Sequence, residues 1–258
     1  MGTPITKGGR TSNDSSFARI LYQNKLTSAS SATAQPALIP NTWERWESAS
    51  GVMQSRFQPS ASIRCNAIGI AAHNLGTRGS TIVVETAPTV SGTFTERGAI
   101  TPSNDKPIMF LFDDVSDVED VRVTITNGAD REVGVVYAGS ALVMQQALFG
   151  GHSPICLSSK TEYRNAMSDT GQFLGRKIRR KGQVSTFSWE NLQDTWYRDN
   201  FQPFVESAKT LPFFIKWRPD YFGEDVAFGY SVGDIQPTNQ GGVTRLMSVD
   251  LNMRAHDE

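Results

Sequence analysis

The 258-residue sequence has only two cysteines, only three histidines and no surplus of either charge, and each scarcity closes a class of function. Cys65 and Cys156 lie far apart with no CxxC partner, so the chain holds no ligand set for a structural zinc or an iron–sulfur cluster. His73, His152 and His256 fall in three separate contexts without HxxxH or HExxH spacing, which leaves metal catalysis without ligands. Twenty-five Lys and Arg stand against 26 Asp and Glu, a formal charge of −1. No global field draws such a molecule onto nucleic acid or an anionic membrane. No apolar run approaches the ~18 residues that read as a membrane span. Residues 1–16 hold Gly, Ser and Thr rather than an apolar signal core. The expectation is a protein made in a reducing cytosol, with two buried free thiols rather than a disulfide, and with no membrane insertion.

Catalytic signatures are missing as well. Gly150-Gly151-His152-Ser153 lacks the GxSxG elbow that would make it an oxyanion site, and it reads as a turn between strands. Gly8-Gly9 and Gly241-Gly242 have neither P-loop nor dinucleotide spacing. A glycosidase needs two carboxylates across a cleft; among Glu162, Asp169, Glu190, Asp194 and Glu224 no spacing singles out a pair. The expectation is no enzyme: no catalytic residue, no cofactor and no metal.

What the sequence does contain is β structure. Residues 1–40, apart from Phe17, Ile20, Leu21 and Leu26, are dominated by small and polar residues and read as a flexible N-terminal arm. From 41 to 140, short Val-, Ile- and Phe-rich runs at 63–70, 80–86, 108–112, 121–126 and 131–137 alternate with turn formers. Val121, Val123 and Ile125 against Arg122, Thr124 and Thr126 have the period of a half-buried strand. Short strands with no long helix predict a β-sandwich or jelly roll. From 141 to 258 a strand at 184–189, a helical pattern at 191–209 broken near Asn200 before Pro203, and strands at 212–217, 226–232 and 246–253 predict an α+β domain. There, short helices cover an antiparallel sheet. The fold class is therefore mostly β with some α.

Two charged stretches and a set of aromatics remain. Asp113-Asp114-Val115-Ser116-Asp117-Val118-Glu119-Asp120 departs from the EF-hand order and reads as a solvated acidic loop, suited to a basic surface. Arg176-Lys177-Ile178-Arg179-Arg180-Lys181 is its counterpart, either a protein interface or a strand edge protected by charge. Trp43 and Trp46 are candidate interface anchors, or else core. His73 and Asn74, with Asp105 in the turn at 101–105, are candidates for hydrogen-bonding a saccharide; a satisfied structural histidine is the plainer reading.

The strings IGIAAHNLGTRGSTIVVET, VYAGSALVMQQALFGGHSPICLSSKTEYRNAMSDTGQFLGRKIRRKG and WYRDNFQPFVESAKTLPFFIKWRPDYFGEDVAFGY resemble minor tail or baseplate proteins of long-tailed bacteriophages, from Trp43 to the C-terminus. The resemblance implies a discoidin-like (galactose-binding-like) jelly roll followed by a ring-forming domain similar to that of distal tail proteins. It implies a structural protein of the virion tail tip, assembled in the host cytoplasm. Such a protein forms a homo-oligomeric ring of six or three copies between tail tube and hub. In that setting the basic run Arg176, Lys177, Arg179, Arg180 and Lys181 is the expected subunit interface, with Trp43 and Trp46 as anchors of the arm. The alternative is a carbohydrate-binding module that helps the tail adhere to a host-surface glycan. It predicts Trp or Tyr exposed at one loop end of the sandwich.

Overall fold

The computed structural model describes residues 17–241 and 245–256, with Cys156 and Arg180 described in backbone only. Among them the chain is mostly β with short helices. Two antiparallel sheets face each other between residues 26 and 139. One has the order Leu26–Ala29, Met53–Pro59, Asp120–Thr126, Thr81–Ala87, Thr95–Ile100, and the other Trp46–Ser48, Arg131–Gly139, Ile63–His73, Ile108–Val118. Val121, Val123 and Ile125 point inward while Arg122, Thr124 and Thr126 reach outward, as their alternation predicts.

The strand Ile63–His73 departs from alternation because both of its faces are covered. Ile68 and Ile70 enter the sandwich core, whereas Ala67 and Ala71 pack against the rest of the chain. Gly69 lies between them, where a Cβ would stand 2.9 Å from the Phe214 ring. The small residues at 67, 69 and 71 thus admit a neighbouring sheet at close range.

That neighbouring sheet runs Leu142–Val143, Arg19–Leu21, Phe213–Lys216, Val226–Ser231, Leu246–Ala255, Gln183–Gln193, with Pro237–Asn239 also pairing Leu246–Ala255. Its core holds Trp189, Phe187, Phe201, Phe204 and Phe213 under the helical segment. The expected loose arm is corrected here from residue 17 onward. Arg19–Leu21 is an inner strand of this sheet with Ile20 and Leu21 fully buried, and Leu26–Ala29 and the 3-10 turn Ala32–Leu38 belong to the sandwich. The remainder of the expected arm, residues 1–16, lies outside the described residues. The chain thus begins one unit, leaves to build the sandwich, and returns at Leu142 beside Arg19. Two successive domains were the expectation; one inserted into the other is the finding.

The predicted helix break is corrected too. Asp194–Trp196 and Gln202–Ala208 are α-helical, and Tyr197–Phe201 joins them as a π turn without interruption. Widening the helix ahead of Pro203 accommodates the missing N–H and relieves the clash of its ring with the preceding turn.

The units meet through a largely apolar joint. Tyr137, Phe214 and Phe228 form a cluster with ring centroids 4.6 to 5.9 Å apart. The Tyr137 hydroxyl donates to the Pro212 carbonyl at 3.3 Å, and Lys216 Nζ donates to the Met109 carbonyl at 3.2 Å across the same seam. Burial lowers the Lys216 pKa. Glu162–Met167 and Phe173–Arg180 belong to neither sheet system: among the described residues they pair only with each other, as a separate two-stranded hairpin.

Candidate functional site

The hairpin follows from a local signal that the sequence reading passed over. Ser168-Asp169-Thr170-Gly171 is a turn between two runs of mixed apolar and basic residues. Gly171 N donates to Ser168 O at 2.9 Å, Gln172 N donates to Ser168 Oγ at 3.0 Å, and Gly171 takes the left-handed φ of 81° that glycine tolerates best. Register then sorts the side chains. Tyr163 pairs Ile178 and Asn165 pairs Arg176 on one face. Arg164 pairs Lys177 on the opposite face, with Glu162 two residues from Arg164 on that face, and the register slips at Arg179 and at Leu174. One face is therefore mixed apolar and polar, and the other carries a like-charged cross-strand pair beside one carboxylate. Among the described side chains every strand residue but half-buried Gly175 is exposed, including Phe173 at 64% and Leu174 at 66%.

No ion pair involves Arg164, Lys177 or Arg179 among the described residues. Arg176, on the mixed face, is held in place: its Nε donates to Asn165 Oδ1 at 2.8 Å and its guanidinium lies 4.3 Å over the Tyr163 ring. Of the five cations expected at an interface, Arg176, Lys177 and Arg179 share the hairpin. The side chain of Arg180 lies outside the described residues, and Lys181 lines a groove at the hairpin base. Tyr163, Arg164 and Leu174 join them.

That groove, of about 860 Å³, lies between the units. Trp43 at its rim is 88% exposed and Tyr230 is 46% exposed. Asn41 braces the turn that presents Trp43, its Oδ1 accepting from the backbone N–H groups of Trp43 at 3.0 Å and Glu44 at 2.8 Å. Phe228, Val205 and Ala208 supply apolar wall, while Lys181, Lys209, Asp234 and Arg254 add charge. The two expected anchors therefore part company. Trp46 is buried in the sandwich core, edge-on to Phe57 at 5.7 Å, and cannot act as an exposed anchor.

The candidate saccharide residues meet at one end of the sandwich, where their polar groups are spent internally. Asn74 donates from Nδ2 to Asp130 O and accepts at Oδ1 from Glu132 N, each at 2.9 Å, tying two loops together. Asp105 accepts from Thr77 N at 2.8 Å and from the Thr77 hydroxyl. His73 is buried, its Nδ1 accepting from Leu75 N at 3.3 Å, and burial pushes its pKa down to about 4 against a raising field from Asp105. The loops at this end, 49–52, 74–80, 101–107 and 127–130, contain no Trp or Tyr. Fully buried Arg131 instead holds the end together, its guanidinium donating to the carbonyls of Ile125, Asn127 and Gly51.

The remaining candidates also resolve into structure. His152 packs between Phe187 and Trp217, with ring centroids at 5.5 and 4.6 Å, and burial lowers its pKa. Burial raises the Cys65 thiol to about 11. Among the described residues no cluster of three or more His, Cys, Asp or Glu has the arrangement to hold a metal ion. No helix there is long and apolar enough to cross a membrane.

No family model matches the chain, and no curated protein sequence matches it. Among solved structures it is similar to chitosan-binding module 1 of a chitosanase/glucanase from Paenibacillus sp. IK-5, with 14% identity over 46% of this chain and 97% of that one and a TM-score of 0.37. It is similar to a pectin-binding carbohydrate-binding module, with 9% identity over 46% and 93% of the two chains and a TM-score of 0.39. A third similar structure is CBM32-1 from a family 31 glycoside hydrolase of Clostridium perfringens, with 6% identity over 48% and 94% and a TM-score of 0.35.

Proposed function

We propose that the protein is a non-catalytic structural subunit that associates with further copies of itself through its free-standing hairpin. The observation that carries this reading is the hairpin's construction. A lone two-stranded hairpin is marginally stable in water, and this one exposes Phe173, Leu174, Tyr163 and Ile178 together with Arg164 and Lys177, which stand opposite each other without an ion pair among the described residues. Exposed apolar surface beside a like-charged cross-strand pair suits an unoccupied contact surface. The resemblance of the sequence to long-tailed phage tail proteins gives the setting: a distal tail adaptor ring at the virion tail tip, joining tube to hub and carrying the jelly roll outward. Sedimentation velocity on the wild-type chain and on Arg164→Ser/Lys177→Ser/Arg179→Ser tests the reading. A wild-type oligomer that dissociates in the variant supports it, and equal sedimentation of the two contradicts it.

A second reading is favoured by Trp43. A fully presented indole on a braced turn beside Tyr230, over a groove with polar walls, matches the stacking faces and hydroxyls of a sugar ring. Host-surface glycan binding then belongs to the whole chain, because both units line the groove. Glycan-array binding by the wild type that is lost in Trp43→Ala supports it; binding unchanged by that substitution, or none at all, contradicts it.

A further inference from the structure

The groove between the units holds a donor that the chain leaves unused. Arg254 lines it from the strand Leu246–Ala255, directly across the ladder from Tyr230 on one side and Val184 on the other, so the guanidinium and the exposed Tyr230 ring share one face of the sheet. Its Nη2 is buried without a hydrogen-bond partner, and no ion pair involves Arg254 among the described residues. Gly182 lies against one edge of the guanidinium, where a Cβ would stand 3.2 Å from Nε and Nη2. A charged donor buried without an acceptor costs free energy that a bound anion recovers.

The charge of the groove points the same way once its internal contacts are set aside. Lys209 is paired with Glu206 at 2.7 Å, and His256 is already engaged within the chain, so neither counts toward a ligand. Lys181 and Arg254 remain against Asp234, and none of these three has an ion pair among the described residues. Two cations against one carboxylate thus stand beside the exposed rings of Trp43 and Tyr230.

We infer that the groove takes an anionic saccharide, with a sugar ring on Trp43 and an acid substituent on Arg254, assisted by Lys181. The inference rests on the glycan-binding reading above and names the class of glycan. An aromatic face suits any pyranose. The fork of Arg254 adds what a neutral sugar leaves unused, parallel N–H groups that match a carboxylate, sulfate or phosphate oxygen pair. A nucleic-acid strand is the poorer occupant, because it gains from a track of cations along its backbone and the groove supplies only a small excess.

A glycan array that sets neutral glycans beside their carboxylated, sulfated and phosphorylated counterparts tests this on the full chain and on Trp43→Ala, Arg254→Gln, Arg254→Lys and Lys181→Gln. Thermal melting establishes that each variant folds; Lys181 is exposed, so its substitution reports on the groove even where Arg254→Gln loosens the sheet. The expected result is that the wild type prefers acidic glycans to their neutral counterparts, most strongly at low salt. Arg254→Gln is expected to weaken the acidic glycans about tenfold and to flatten their salt dependence, with part of the loss recovered in Arg254→Lys and a smaller loss in Lys181→Gln. Any such preference supports the inference, and the favoured counterpart names the acid group. If neutral and acidic counterparts bind equally and Trp43→Ala abolishes both, the glycan reading stands and the acid recognition is overturned. If the acidic preference survives both Arg254→Gln and Lys181→Gln, the acid group binds elsewhere and the inference is overturned. If no glycan binds, the glycan reading fails and this inference with it.

Discussion

Arg164 and Lys177 stand directly opposite each other on an exposed hairpin, two like charges in register where a stable ladder would place opposite ones. Neither has an ion-pair partner among the described residues. Neutralising one of them relieves repulsion within the hairpin, so Arg164→Thr is expected to leave the unfolding free energy of the chain within about 0.5 kcal/mol. The same substitution is expected to weaken self-association, most visibly at low salt. Paired thermal melts and sedimentation runs measure both; a loss of stability without a loss of association contradicts the assignment.

Ile20 tests the inserted topology. It is fully buried between Leu142 and Ile215 in the second unit's sheet, although it precedes the sandwich in sequence. Ile20→Ala is expected to cost about 2–5 kcal/mol in chemical denaturation, the usual range for a truncated core isoleucine. A cost below 0.5 kcal/mol, the range of an exposed site, contradicts the strand's placement.

How much of this was legible in the sequence depended on how much of each strand's burial was local. Asp120–Thr126 is covered on one face, so its alternation gave its position within one residue. Arg19–Leu21 is three residues long and buried by partners almost two hundred residues away, which no local period records, and the polar residues around it read as an arm. Ile63–His73 was recognisable as a strand, while the meaning of Ala67, Gly69 and Ala71 required the second sheet to be seen against them. At the candidate sites, composition marked the basic run without showing that it forms half a hairpin. Trp43 and Trp46, three residues apart, looked equivalent until the short strand Trp46–Ser48 turned one inward.

Gly69 and Phe214 set the spacing of the joint. A methyl group at 69 would stand 2.9 Å from the Phe214 ring, closer than carbon atoms pack, and that ring is wedged among Tyr137 and Phe228. Gly69→Ala is expected to destabilise the chain by about 1–3 kcal/mol through overpacking. Phe214→Leu in the same background is expected to recover part of that loss by making room. A thermodynamic cycle of the two substitutions checks the coupling; strict additivity contradicts direct contact.

His73 governs one pH effect. Its pKa is about 4 in the folded chain because burial disfavours the imidazolium, against about 6.5 unfolded. Between these values the unfolded chain binds more protons than the folded one, so stability is greatest above pH ~6.5 and falls on acidification toward pH ~4. The slope contributed by one such group is of order 1 kcal/mol per pH unit. His152, whose pKa is also lowered by burial, acts in the same direction. His73→Asn keeps an acceptor near the Nδ1 position for Leu75 N and removes the titration. Denaturant midpoints at pH 7 and pH 4.5 are expected to differ less in that variant than in the wild type, and an equal difference contradicts the assignment.

The central claim is self-association through a charged hairpin, and light scattering of the wild-type protein at low and high salt tests it most directly. The Debye length falls from ~10 Å at 0.1 M to ~3 Å at 1 M, so a contact steered by Arg164, Lys177 and Arg179 weakens across that range. The predicted result is a mass several times that of one chain at low salt, decreasing toward the monomer as salt rises. A monomer mass at every salt and protein concentration would contradict the claim.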